Sequence, residues 1–265
     1  MPGLRTAHEG AVCRAVLDEP DKLNPLSPKV LEDLEALVAR LPDQPEVRVV
    51  VFEGEGRAFS AGADLRPSQR PAPTTWAGRR RQSGRWQRAL EALERIPQVT
   101  VASLKGRVIG GAVLLAMSCD LRIGAEDTLF SVPEVALGIP LTWAGLPRLV
   151  REIGLPRTRE LVMTGRTVPA AEALDWGLIT RLVPRSELES ATRALVDELL
   201  AMPEVPLAMT RDALAAMGRA GLQEAWADAD LLWWSQREPE SRQAAADYAQ
   251  ARLGRGRGGA AAPPG

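Results

Sequence analysis

A glutamate flanked by apolar residues and a glycine pair at the head of an apolar run are the features of this chain best suited to chemistry. Glu134 lies in FSVPEVALGIP (130–140), beside Val132, Pro133, Val135, Ala136 and Leu137. It is either a surface glutamate in a turn or a carboxyl surrounded by those neighbours in space. In the second case lost hydration raises its pKa above the usual ~4.3 and makes it a stronger base. Gly110 and Gly111 lie in KGRVIGGAVLLAMSCD (105–120), directly ahead of an apolar stretch at 112–117. That order predicts a strand-to-helix turn. The first amides of such a helix have no internal acceptor and sit at the positive end of its dipole, where they suit a phosphate or an oxyanion. The same glycines would equally allow plain close packing of helix on strand. A third stretch, GRAFSAGADL (56–65), turns at Gly62.

The elements that must position these groups alternate between strand and helix, which predicts α/β architecture. Residues 12–17 and 48–52 read as strands, the second a continuous Val run expected of a strand buried on both faces. Between them a helix is predicted over 28–40, capped by Ser27, opened by Pro28 and striped with Leu31, Leu34, Leu37 and Val38. Further strands are expected at 99–104, 121–124 and 129–132. Residues 67–88, rich in Pro, Arg, Gln and Ser, read as a loop leading into a helix through Leu90, Leu93 and Ile96. Arg79, Arg80 and Arg81 then form a solvated loop face or a phosphate contact. Past Leu155 the pattern turns helical: Pro169 to Gly177, a helix to Met202 with a Ser186–Glu189 capping box, then 206–217, 223–236 and 239–253. The expected organisation is a core over 1–185, a helical region over 186–253 and a low-complexity, disordered tail over 254–265.

Composition narrows the classes. The 265 residues are 45% hydrophobic and 25% charged, ordinary for a globular protein, and the formal net charge of −1 offers no global attraction to nucleic acid or an anionic membrane. Cys13 and Cys119 have no zinc-type spacing and could form at most one disulfide. His8 is the only histidine and falls in the expected N-terminal fray, which leaves little room for histidine catalysis or a His-rich metal site. No metal is expected. The apolar run at 108–117 is too short to cross a bilayer, and no signal peptide is recognisable, so a cytoplasmic protein is expected.

AFSAGADL, KGRVIGGAVLLAMSCDLRI and FSVPEVALGIP, in this order and spacing, resemble the crotonase family of enoyl-CoA hydratases and isomerases. DKLNPLS near the N-terminus and TVPAAEALDWGLITRLVP later extend the likeness to about Leu253. The resemblance implies a spiral of ββα units with a helical C-terminal oligomerisation region, a homotrimer or hexamer. It implies an acyl-CoA thioester substrate and no cofactor beyond that CoA. It also implies an oxyanion hole at the amides of Ala63 and Gly111, with Glu134 as the catalytic carboxylate. Substrate-binding positions are expected at Ala61, Asp64 and Leu65, with Lys22 and Arg66 as cations near the phosphates and with Leu114; Trp143 would line the acyl pocket.

One departure bears on the reaction. Family hydratases carry a second glutamate in the helix after the glycine pair, where this chain has Leu114. A leucine can neither accept nor donate a proton. A single carboxylate suffices to move a proton from C2 to C4 of a 3-enoyl-CoA, so Δ3,Δ2-enoyl-CoA isomerisation is the expected activity. Hydration by one glutamate is the alternative, followed by acyl-CoA hydrolysis or decarboxylation on the same oxyanion hole. RNA binding through Arg79, Arg80, Arg81 and the arginines at 252, 255 and 257, or acyl-CoA binding without turnover, are non-enzymatic readings; the net charge weighs against the first and Glu134 against the second.

Overall fold

A computed structural model describes residues 3–66, 73–218 and 228–257. Six strands form the main sheet: β1 (Leu4–Glu9), β2 (Val12–Leu17), β3 (Val49–Gly54), β4 (Val99–Leu104), β6 (Leu121–Ala125) and β9 (Arg181–Val183), in the order β1-β2-β3-β4-β6-β9. Only β1 and β2 pair antiparallel; all other neighbours in this sheet are parallel. A second sheet, β5-β7-β8, is built from β5 (Arg107–Ile109), β7 (Leu129–Ser131) and β8 (Val168–Pro169).

The apolar strands divide their side chains by the period of two that a pleat imposes. Val50, Phe52, Ala102 and Leu104 enter one core. Val49, Val51 and Val101 enter the other, where Leu188, Leu195 and Val196 of α7 (Leu188–Ala201) cover them. Burial of those three α7 side chains contributes about 1.5–3 kcal/mol each. The first face is covered by α1 (Pro28–Arg40) and α3 (Arg85–Leu93), with α4 (Gly111–Met117) packed in the same core. Ser27 caps α1 as expected, its side chain accepting from the Val30 amide. β4 joins the large sheet, β5 the small one, and α4 follows, so one ββα unit delivers a strand to each sheet.

Several expectations change. His8 lies in β1, opposite Cys13, not in a fray; the strand alternates too weakly to stand out, with Arg5, Thr6 and Glu9 among its six residues. Within 67–88, α2 (Trp76–Ser83) forms under a Thr75 cap and α3 follows directly. It buries no side chain, so no apolar stripe announced it. Its Arg79, Arg80 and Arg81 therefore lie on a helix: Arg79 donates to the Thr74 carbonyl at 2.6 Å and Arg80 pairs with Asp230 at 3.5 Å. Helix α5 (Gly145–Thr164) starts well before Leu155 and breaks at Gly154, ahead of Pro156. The Ser186–Glu189 capping box does not form: Ser186 belongs to a 3₁₀ turn (Arg185–Glu187), which moves the start of α7 past it. The short strands β8 and β9, beyond Leu155, were not expected.

After α6 (Ala170–Trp176), closed by Gly177 in the left-handed conformation, the chain continues through β9 and α7 into α8 (Glu204–Gly218), α9 (Asp228–Ser235) and α10 (Pro239–Arg257). The N-terminal part of the helix expected over 223–236 lies outside the described residues. Of the tail expected to be disordered, Gly254 to Arg257 continue α10 and 258–265 lie outside the described residues. Cys13 and Cys119 are buried free thiols. No helix among the described residues is long and apolar enough to cross a membrane.

Candidate active site

The turn from β5 to α4 runs through Gly110 at φ 54° and ψ −119°, a conformation that a side chain would resist. The Gly110 amide is used by the sheet, donating to the Ser131 carbonyl at 2.8 Å. Gly111 opens the helix, so its amide has no acceptor within α4.

The loop after β3 is held along β5: Ser60 N–H donates to the Arg107 carbonyl at 3.0 Å, and Ile109 N–H donates to the Ser60 carbonyl at 3.2 Å. It then turns at Gly62, φ 83°, where any side chain would run into the Ile109 carbonyl. A methyl built on Gly62 would lie 3.6 Å from the Gly111 nitrogen. Leu26 bridges this segment, its N–H donating to the Gly62 carbonyl at 2.8 Å and its carbonyl accepting from Asp64 N–H at 3.3 Å. Those bonds occupy the groups on either side of Ala63, so the Ala63 N–H faces away from Leu26. Ala63 and Gly111 thus bring two uncommitted amides to neighbouring points of one wall.

Glu134 lies at the head of a 3₁₀ turn, Val135–Leu137. Its Oε1 would stand 2.5 Å from a methyl on Gly110. Its Oε2 has almost no solvent contact and no hydrogen-bond partner. Burial, only partly offset by a hydrogen bond from its own backbone N–H, pushes its pKa up to about 7. The carboxylate therefore lies against Gly110, next in the chain to the Gly111 amide, and its pKa is raised as the apolar run around Glu134 leads one to expect.

Trp143 covers Gly111, where a side chain would strike its benzo ring. Leu114 is 1% exposed and packs where its Cδ1 would lie 2.9 Å from a methyl on Gly145. Ala61, Asp64 and Leu65 lie on the loop that carries Ala63. Ala61 N–H donates to the Leu23 carbonyl at 2.7 Å, and Leu65 is exposed. Lys22 is paired with Glu19. Arg66 grips Asp64 with bonds of 2.7 and 2.8 Å, which holds the Asp64 carboxyl below its usual range. Both cations are thus neutralised locally.

A cavity of about 740 Å³ adjoins the cluster through Ile109 and Ser131 and extends past Leu23, Arg57, Arg107 and Tyr248. Arg57 and Arg107 are exposed, and among the described residues neither has a carboxylate partner. Sequence reasoning missed both; Arg57 lies inside GRAFSAGADL and Arg107 inside KGRVIGG, so the signal was proximity to motifs already in view. A second cavity of about 410 Å³ lies at the opposite end of α4, against Met117, Asp120, Arg151 and Arg211. Its charges satisfy one another, Arg211 with Asp120 at 3.2 Å and Arg151 with Glu152 at 2.8 Å. Asp120 also accepts from the Thr100 amide at 2.8 Å, as a strand anchor would.

The fold and this grouping of amides and carboxylate define a class that the comparisons identify. A sequence model described as enoyl-CoA hydratase/isomerase matches residues 7–252, and the chain belongs to that family, the crotonases. It is 32% identical over 216 residues to a putative enoyl-CoA hydratase of Thermus thermophilus, covering 82% of this chain and 85% of that one. It is 35% identical over 231 residues to an enoyl-CoA isomerase/hydratase of Mycosarcoma maydis, covering 84% and 82%. Among solved structures, an enoyl-CoA hydratase from Mycobacterium avium subsp. paratuberculosis superposes with a TM-score of 0.84 at 26% identity, covering 94% and 96% of the two chains. A putative enoyl-CoA hydratase from Thermobifida fusca in complex with CoA gives 0.76 at 31%, covering 96% and 95%. The chain is therefore an enzyme of the enoyl-CoA hydratase/isomerase family with the crotonase fold.

Proposed function

We propose that this enzyme forms a thioester enolate held by the amides of Ala63 and Gly111, with Glu134 as its single acid–base group, and that its reaction is Δ3,Δ2-enoyl-CoA isomerisation. The observation that carries the proposal is one carboxylate at Gly110, with a buried and unpartnered Oε2, while the position of a second carboxylate is taken by Leu114, sealed in the core. In the ionised form Glu134 takes the proton from C2 of a 3-enoyl-CoA. The electron pair delocalises onto the thioester oxygen, where two preorganised N–H dipoles stabilise it without reorganising. Glu134 then returns the proton at C4 and the double bond lies between C2 and C3. No water and no second acid take part. A pKa near neutrality suits a group that must both accept and donate.

The 740 Å³ cavity supports a CoA site along Leu23 and Ile109, with Ala61, Asp64 and Leu65 on the adjoining loop. Arg57 and Arg107 are better placed than Lys22 and Arg66 to meet phosphates, since the latter pair with carboxylates already. No cofactor beyond the thioester is required. A homotrimer or hexamer is supported by apolar side chains left exposed on the last helices, Val205, Met209, Leu214, Met217, Leu231 and Trp234. Cytoplasmic residence remains the companion expectation.

Hydration of a 2-enoyl-CoA is the second reading, and the relatives' names favour it: the Thermus thermophilus relative is called a putative enoyl-CoA hydratase, and the Mycosarcoma maydis relative is called an isomerase/hydratase. Incubation with 2-enoyl- and 3-enoyl-CoA thioesters, read by mass and NMR, separates the two. Migration of the double bond at constant mass supports isomerisation. Addition of one water to the 2-enoyl substrate, with the 3-enoyl substrate untouched, overturns it in favour of hydration.

A further inference from the structure

Consecutive glycines carry different burdens in this site: Gly110 lies under the Glu134 carboxylate and Gly111 under the Trp143 indole. Their Cα atoms are about 3.8 Å apart, as in any trans peptide. An acyl chain whose C2 reaches Glu134 therefore meets an aromatic edge within a few carbon atoms.

That edge is fixed from several sides. Trp143 stacks on Trp86 with centroids 4.8 Å apart and planes at 17°. Trp86 belongs to α3, which is locked into the core through Ala89, Leu90 and Leu93. Trp143 and Ala144 both adopt left-handed backbone, φ 62° and 55°, a conformation non-glycine residues keep only when their surroundings enforce it. Arg148 enforces it by donating to the carbonyls of Trp143 and Ala144, while Glu94 grips Arg148 at 2.8 and 3.2 Å. The Ala144 amide donates to Asp228 at 2.8 Å. Leu114 and Leu141 pack against Gly145 immediately after this segment.

We infer that the Trp86–Trp143 stack is the end wall of the acyl pocket and restricts this enzyme to short, apolar acyl groups. The inference rests on the acyl-CoA reading above but not on the choice between isomerisation and hydration. Trp143 is the specificity-determining residue; Trp86, Arg148 and Asp228 act through it as positioning residues.

The test is kcat/KM over 2-enoyl- and 3-enoyl-CoA thioesters of four to twelve carbons (chain lengths of roughly the span over which a pocket wall is felt), with acyl-CoA binding followed by calorimetry. Wild type, Trp143→Ala, Trp143→Phe and Trp86→Ala are compared, and circular dichroism establishes that each variant is folded. The wild type is expected to favour the shortest chains. Trp143→Ala should raise the long-to-short ratio by about tenfold or more, with Trp86→Ala moving it the same way and Trp143→Phe less. An unchanged ratio in a folded Trp143→Ala, or a wild type that turns over or binds long chains as well as short ones, overturns the wall. If Trp143→Ala does not fold, the ratios in Trp143→Phe and in the wild type decide. Turnover without length discrimination sinks only this inference; no binding or turnover of any thioester sinks the acyl-CoA reading and the wall together.

Discussion

The carboxylate of Glu134 occupies the space that a side chain on residue 110 would fill, with Oε1 2.5 Å from the position of an added methyl. Gly110 therefore serves twice, as the left-handed hinge between β5 and α4 and as the floor on which the carboxylate rests. Gly110→Ala should displace Glu134 and strain the turn. A loss of about 1–3 kcal/mol in stability is expected from the backbone conformation, and turnover should fall more than unfolding explains. Thermal midpoint and kcat measured together would show this; an alanine enzyme with normal kcat would refute the placement of Glu134.

Replacement of the carboxylate tests the chemistry itself. Glu134→Gln should cut kcat about 10²–10⁴-fold, the range for loss of a positioned general base, while acyl-CoA still binds. Normal turnover in this variant would end the proposed mechanism.

The raised pKa of Glu134 has a stability consequence with a definite sign. Between its ordinary value of 4.5 and about 7 the folded protein keeps a proton that the unfolded chain has lost. Folding stability contributed by this group is thus fully present below pH 4.5, declines through that window and is lost above about pH 7. The swing is roughly 3 kcal/mol at most, from 1.36 kcal/mol per pKa unit. Glu134→Gln should abolish this slope and be more stable than wild type above neutrality. Urea titrations at several pH values would reveal the difference, and parallel curves for the two proteins would contradict it. Base catalysis in the wild type should rise with pH through the same region.

Leu114→Glu places a carboxylate one helical turn beyond Gly111. Because Leu114 is 1% exposed, an unpaired acid there should cost about 1–3 kcal/mol of stability. In the protein that still folds, hydration of a 2-enoyl-CoA should rise relative to isomerisation of a 3-enoyl-CoA. A ratio unchanged in a folded variant would mean that position 114 does not face the reacting centre.

Arg57 and Arg107 line the same cavity without carboxylate partners among the described residues. Replacing both with alanine should raise KM for an acyl-CoA about tenfold while leaving KM for the matching acyl-pantetheine, which lacks the nucleotide phosphates, nearly unchanged, and the acyl-CoA effect should shrink with added salt. Equal effects on both thioesters would show that the arginines do not meet phosphate.

Local pattern made much of this protein legible. The Val run at β3, the Ser27–Pro28 start of α1 and the glycine pair opening α4 follow from pleat period, capping and backbone freedom, all of which act over a few residues. Glu134 in an apolar run likewise announced a perturbed carboxyl. Where side-chain periodicity was absent, pattern failed: α2 buries nothing, and β8 and β9 are too short to alternate. The same limit applied to every relation between distant segments. That Lys22 and Arg66 are neutralised, that Arg57 and Arg107 share a cavity, and that Trp86 meets Trp143 over Gly111 depend on contacts between residues far apart in the chain. Such contacts form when packing against a common core brings their carriers together, and no local spacing encodes that distance.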